Sequence, residues 1–258
     1  MRDRLPALVL VALLLVGWEA YVRLAAIEPV VLPGPIRIAE ALWTFRADAL
    51  RHALPTLLET VIGFSLAVVL AIAAAAAMDR AAPVRRAVEP LLVTSQTIPV
   101  VALAPLFLLW FGFGLAPKVL VVVLVTFFPI VVALLDGFRG TPRDAEDLLR
   151  SYGASDGVVF RKLRWPAALP EFFIGLRISV VYAVIGAVFG EYVGAREGLG
   201  IWMQLSQNAF RTDLVFAAIV VTSALSLGLY GVVGVVRRLA IPWAPGVRRE
   251  PGLAERPY

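Results

Sequence analysis

Very little in these 258 residues can do covalent chemistry. The chain has no cysteine, which excludes disulfides, iron–sulfur clusters and thiolate zinc sites. There is a single histidine, His52, read as an interfacial polar residue rather than a metal ligand. No H-E-x-x-H or G-x-S-x-G is present, so hydrolytic metal and nucleophile-elbow chemistry have no starting point. The phosphate-gripping pattern G-x4-G-K-[ST] is also missing, so any ATP hydrolysis tied to this chain has to come from another one. What stands out instead is polar residues placed inside apolar runs.

Three such features need an explanation. Ser95, Gln96 and Thr97 interrupt the apolar stretch 90–111 and are followed by Pro99 and Pro105. A proline removes an intrahelical hydrogen bond and bends a helix, and inside a bilayer the freed carbonyls need new partners. Two readings compete: the polar triplet lines a solute pathway, or it satisfies the carbonyls freed by Pro99. Glu191 lies in another apolar run, beside Gly186, Gly190 and Gly194. An ionisable group at the centre of a bilayer costs about 2.5–3.5 kcal/mol on insertion scales, so a central Glu191 implies function and an outer-interface one does not. The three glycines recur every fourth residue and form overlapping small-x3-small helix-packing motifs.

The fourth feature is a charged insert, residues 141–170. Thr141 has N-cap character before a turn holding Pro142, Asp144 and Glu146, whose acids complement the helix dipole. Gly153 then ends that helix, because glycine turns left-handed without strain. Ser155 caps a second short helix, which Trp165-Pro166 closes. Leu148, Leu149 and Tyr152 give the pair an apolar face in need of a docking partner.

The elements that carry these residues follow from composition. The chain is 60% hydrophobic, well above the roughly 45–50% of soluble domains, and several runs reach the about 20 residues that span a bilayer as helix. The expected architecture is all-α and polytopic, with six transmembrane helices near 5–26, 56–78, 90–111, 117–136, 172–193 and 214–236. Residues 1–243 form one transmembrane domain, and 244–258 form a proline- and charge-rich disordered tail. The first run is longer than a signal-peptide core and is followed by further spans, so it reads as an uncleaved helix. Residues 36–45 read as a helix lying at the interface, with Trp43 at headgroup depth. Of the 24 lysines and arginines, sixteen fall on the side holding both termini and 141–170, against seven opposite, with Arg177 inside the fifth span. The positive-inside bias therefore puts both termini and the charged insert in the cytoplasm. The net charge of +5 fits an anionic membrane face and not nucleic acid, for which no basic-aromatic array exists. A self-contained ion-coupled transporter, the alternative from a different class, would carry an internal repeat of its spans, and none is visible.

The insert resembles the cytoplasmic signature loop of binding-protein-dependent ABC importer permeases, E-A-A-x3-G-x9-I-x-L-P. Asp147-Leu148-Leu149 stands at E-A-A, Gly153 at the glycine, Leu163 at the isoleucine and Trp165-Pro166 at L-P. The likeness extends through V-L-P-G-P-I-R (31–37), H-A-L-P-T-L-L-E-T-V-I-G-F (52–64), the run 90–114 and G-E-Y-V-G-A-R-E-G-L-G (190–200). These stretches are similar to the nitrate, sulfonate, taurine and thiamine-precursor group, and most to permeases for hydroxymethylpyrimidine-type precursors or riboflavin. The resemblance implies the type I importer permease architecture in a bacterial inner membrane. It also implies a second permease copy forming a homodimer, two ABC ATPase subunits carrying ATP and magnesium, and an extracytoplasmic substrate-binding protein. No cofactor is expected in this chain. On this resemblance Asp147, Arg150, Ser151, Tyr152, Gly153, Ala154 and Ser155 contact the ATPase. Within such an architecture Ser95, Gln96, Thr97 and Glu191 are the residues expected to line the pathway, against the alternatives given above. Gly186, Gly190 and Gly194 are expected to pack helices near the two-fold axis or within one subunit.

Overall fold

The computed structural model describes residues 5–243, and these are helical apart from short connections. The expected tail, 244–258, lies outside them. In chain order the elements are α1 (Leu5–Leu24), α2 (Pro35–Thr44), α3 (Arg46–Arg80), α4 (Ala82–Ser95), α5 (Val100–Phe111) and α6 (Leu115–Arg139). Then come α7 (Arg143–Ser151), α8 (Asp156–Val159), a π turn (Phe160–Arg164), α9 (Trp165–Tyr192), α10 (Leu199–Asn208) and α11 (Thr212–Ala240). Among the described residues five helices are long and apolar enough to cross a membrane: α1, α3, α6, α11 and the continuous stretch Asp156–Tyr192. At 1.5 Å per residue α3 is about 52 Å long, more than the about 30 Å of hydrocarbon, so its polar N-terminal turns stand clear of the membrane.

The centre of the bundle is α6 packed against α9 and α3, and small residues set the spacing. Gly63, Ala67, Ala71 and Ala75 recur every fourth residue along α3, all buried. A Cβ on Gly63 would sit 2.6 Å from Val122 of α6, and one on Gly175 of α9 only 2.5 Å from Cβ of Ala133. Without a water-driven hydrophobic effect between helices in lipid, such close backbone approach supplies the packing. Around it lie Ile130, Val131, Leu134 and Phe138 of α6 with Phe172, Leu176 and Val180 of α9. At one end Phe138, Phe160, Trp165 and Phe172 form an aromatic cluster, with neighbouring ring centroids 5.5–6.4 Å apart.

Ion pairs identify the two ends of the bundle. At the end carrying α7, Arg164 bonds Asp79 at 2.6 Å and Arg139 bonds Glu89 at 2.8 Å. At the opposite end Lys118 pairs with Glu59 and Arg51 with Glu197, each at 2.5 Å. Since α3 ends at the first and α6 begins at the second, α4 and α5 together connect them.

Here the structure departs from the single kinked helix expected over 90–111. The chain breaks into two helices at Gln96–Pro99. Gln96, Thr97 and Ile98 donate to Val93, Thr94 and Ser95, three tight i to i−3 bonds that wind α4 down. Pro99 then sits in an extended conformation, ψ 113°, and starts α5. Proline cannot donate to the ladder and disfavours helix at the residue before it, so the helix ends there instead of bending.

Two expectations for residues 141–170 are also corrected. Thr141 does not cap α7: Pro142 occupies the cap position, and the Thr141 hydroxyl is buried without a hydrogen-bond partner among the described residues. Trp165-Pro166 does not close the second helix. The chain stays helical from Asp156 into α9 through the π turn at Phe160–Arg164. That wider turn accommodates the missing N–H and the ring of Pro166, which an α-helical turn would set against the preceding carbonyl.

Candidate functional site

The loop end presents a short, firmly terminated helix. Gly153, at φ +78°, turns the chain out of α7. Its N–H reaches the Arg150 carbonyl at 2.9 Å and the Ala154 N–H reaches that of Leu149 at 3.1 Å, the paired bonds of a Schellman cap. Nothing lies within 4 Å of a Cβ built on Gly153, so backbone conformation, not space, demands glycine. Asp147 is exposed, Arg150 pairs with Asp156 at 2.8 Å, and Ser151 Oγ donates to the Leu148 carbonyl at 2.7 Å. Tyr152 is 82% exposed and Leu148 57%, an apolar pair on an otherwise charged helix. Ala154 is half-buried and Ser155 occupies the cap position of α8 without a side-chain bond. Arg164, which sequence reading passed over, ties this unit to the bundle through Asp79 and, at 3.6 Å, Glu146 of α7. Its partners are 85 and 18 residues away in sequence, so only a spacing-independent contact could have found it.

At mid-bundle a cavity of about 440 Å³ opens between the α4–α5 break, α6 and α9. Ser95 and Gln96 line it from the break, Phe128 from α6, and Tyr182, Gly186 and Phe189 from one face of α9. The other lining side chains are aliphatic, and none among the described residues carries a charge. The hydroxyls at the break are turned to the backbone: Ser95 donates to the Leu92 carbonyl at 2.7 Å and Thr97 to that of Thr94 at 2.8 Å. Thr97 does not line the cavity. Among the described residues the Gln96 carboxamide has only a long 3.5 Å contact, to Ser95 Oγ.

Glu191 is elsewhere. It is fully buried inside the subunit at the opposite end from α7, among the loops after α9. Its Oε1 accepts from Thr56 Oγ1 and its Oε2 from the Gly200 N–H, both at 2.6 Å. Thr56 Oγ1 accepts from the Leu199 N–H at 2.9 Å, and His52 Nδ1 from the Gly198 N–H at 3.1 Å. Three consecutive amides at the start of α10 are thus each held by one side chain, and a carboxylate sits at the positive end of the helix dipole. Gly198 and Gly200 make room: a Cβ on Gly198 would lie 2.2 Å from the Glu191 carboxyl carbon. His52 also stacks on Trp202, with rings nearly parallel at 5.8 Å. Nearby, Glu59 and Lys118 form a buried pair. Outside the spans, Arg51 hydrogen-bonds the Glu197 carboxylate and holds its pKa below the usual range.

The glycine stripe packs within the subunit. Gly186 faces Val125 and Val122, and Gly190 faces Lys118, all on α6, while Gly194 meets Phe113 and Leu108. Among the described residues no three histidine, aspartate or glutamate side chains gather as a metal site.

Long apolar helices, a capped polar helix at one end and an uncharged cavity between helices are the features of a multi-pass membrane protein. The family profile described as "Binding-protein-dependent transport system inner membrane component" matches residues 67–241, and the chain belongs to that family. It is a permease of the ABC importer class. It is 41% identical to the formylaminopyrimidine transport permease protein ThiX of Halalkalibacterium halodurans, over 90% of this chain and 92% of that one. It is 37% identical to the riboflavin transport system permease protein RibX of Chloroflexus aurantiacus (94% and 92% covered). To the taurine transport system permease protein TauC of Escherichia coli it is 29% identical (90% and 87%). Among solved structures, an inward-facing MetNI methionine ABC transporter chain superposes with a TM-score of 0.65 over 78% of this chain and 97% of that one. At 18% identity this speaks to the fold alone.

Proposed function

We propose that the chain forms, as a homodimer, the translocation pathway of an importer completed by two ABC ATPase subunits and an extracytoplasmic binding protein. ATP and magnesium belong to the ATPases. The Schellman-capped helix α7 carries this reading, because its cap bonds are made and its Leu148 and Tyr152 are exposed, as a docking contact needs. Residues 147 and 150–155 form the contact, with both termini and α7 on the cytoplasmic side. Switching a two-state pathway from about 1:99 to 99:1 takes roughly 5.5 kcal/mol of differential binding, which a loose loop could not transmit. The ion pairs of Arg164 pass that force from α7 to α3. The cargo is a thiamine pyrimidine precursor or riboflavin. The identities to ThiX and RibX support this over nitrate, sulfonate or taurine, given the lower identity to TauC. The uncharged cavity beside Ser95 and Gln96 is the pathway, while Glu191 acts by holding α10 in place.

The test is reconstitution in proteoliposomes. Uptake requiring ATP, the ATPase and the binding protein is expected. Uptake by the permease alone down an ion gradient would overturn the proposal in favour of a secondary transporter. Gly153→Val forces a β-branched residue into a left-handed conformation, a cost of roughly 1–2 kcal/mol. We expect it to insert normally, retain ATP hydrolysis and lose at least about tenfold in uptake; unchanged uptake would remove α7 from the mechanism.

A further inference from the structure

The cavity at the α4–α5 break has a chemistry of its own. Aromatic faces come from Phe128 of α6 and from Tyr182 and Phe189 of α9. With the Ser95 hydroxyl committed to a backbone carbonyl, Gln96 supplies the spare hydrogen-bonding capacity of the break. Among the described residues no lysine or arginine lines the cavity, and Lys118, toward the far end, is already paired with Glu59. An anion moved from water into such a lining would lose its hydration with no charge-assisted donor to replace it. A neutral flat ring loses little and gains stacking on the aromatic walls. A carboxamide offers one donor and one acceptor side by side, the pattern that matches an amino group next to a ring nitrogen, as when glutamine reads the amino/N7 edge of adenine. The volume, about 440 Å³, lies within the roughly 300–1,000 Å³ of small-molecule sites.

We infer that this cavity is a cargo-binding site of the permease itself, selective for uncharged, planar nitrogen heteroaromatics, with Gln96 reading the polar edge and Phe128, Tyr182 and Phe189 stacking on the ring. The inference rests on the permease reading above and deepens it: selectivity is exercised a second time inside the membrane, after the binding protein.

The experiment uses the permease–ATPase complex in nanodiscs without the binding protein. Binding of formylaminopyrimidine, riboflavin and taurine is measured by equilibrium dialysis. Saturable binding of at least one heteroaromatic and none of taurine is expected. Gln96→Leu and Phe189→Ala should each weaken it about tenfold, and Gln96→Asn should recover part of the loss. Both positions are exposed to the cavity, and an unchanged elution profile and unfolding temperature of the complex check folding. If neither heteroaromatic binds, or neither substitution changes binding, while the full importer still drives ATP-dependent uptake, the cavity belongs to lipid or to the second copy. The inference then fails and the permease reading stands. Taurine binding as tightly as the rings overturns it equally. Absence of any ATP-dependent uptake by the full importer sinks both.

Discussion

Glu191 shows what a single buried carboxylate does in this molecule. It is fully enclosed, and its two oxygens are taken by the Thr56 hydroxyl and the Gly200 amide. Thr56 has a second acceptor, the His52 carbonyl at 3.1 Å, but the Gly200 N–H depends on Glu191. A buried donor stripped of its partner costs about 1–3 kcal/mol, and removal of the side chain leaves a cavity as well. Glu191→Ala should therefore lower the melting temperature in detergent and expose the 198–208 segment to protease. Glu191→Gln, which keeps an acceptor for Gly200, should fall between alanine and the wild type. An alanine variant as stable as the wild type would show that α10 is held by its apolar contacts alone. Among those contacts are Leu199, Trp202 and Met203 against Leu214 and Ala217.

For the helices, the decisive quantity is interaxial distance. The α6–α9 and α3–α6 contacts run over Gly63, Gly137 and Gly175, each too close to a neighbour to admit a Cβ without movement. Gly228 and Gly231 of α11 are spaced in a similar way but have nothing within 4 Å. The two sets look alike as small-residue stripes in sequence and differ in what they touch. Gly175→Val should cost about 1–3 kcal/mol through overpacking against Ala133, while Gly228→Val should be close to neutral in the isolated subunit. Thermal unfolding of both variants in the same detergent compares them, and equal losses would mean that α6–α9 spacing is not limiting. The same element scale explains the α4–α5 break. Prolines 90, 105 and 129 lie inside helices, whereas Pro99 stands at the N-cap of α5, after three tight turns have already wound α4 down.

Across the whole molecule the structure separates an end carrying α7 from an end carrying α2 and α10. Arg80, Arg139, Arg164 and Arg237 cluster with α7 or close helices at that end, the bias behind the proposal that this end faces the cytoplasm. The absence of native cysteine makes orientation simple to measure. Tyr152→Cys and Phe113→Cys place single thiols at positions 82% and 79% exposed, at opposite ends of the bundle. In intact cells with a permeable outer layer, a membrane-impermeant thiol reagent should label position 113 and leave position 152 unlabelled until the membrane is opened. The reverse pattern would put α7 outside, where no ATPase could reach it.

Membrane residence, the helical class, the glycine corner at 153 and the family were all legible in the chain, because each is written in contiguous residues. Apolar run length, lysine and arginine bias, a left-handed turn and ordered motifs need no knowledge of neighbours. The partners of Glu191 and Lys118, the linkage of Arg164 and the aromatic walls that α6 and α9 set opposite Gln96 were not legible. Each joins residues from different helices, such as Glu191 with Thr56 across 135 positions. That pairing depends on how each helix is rotated and how far it is slid along its neighbour. In a chain this uniformly apolar, hydrophobic periodicity scarcely constrains either quantity; close packing of small residues between α3, α6 and α9 decides both.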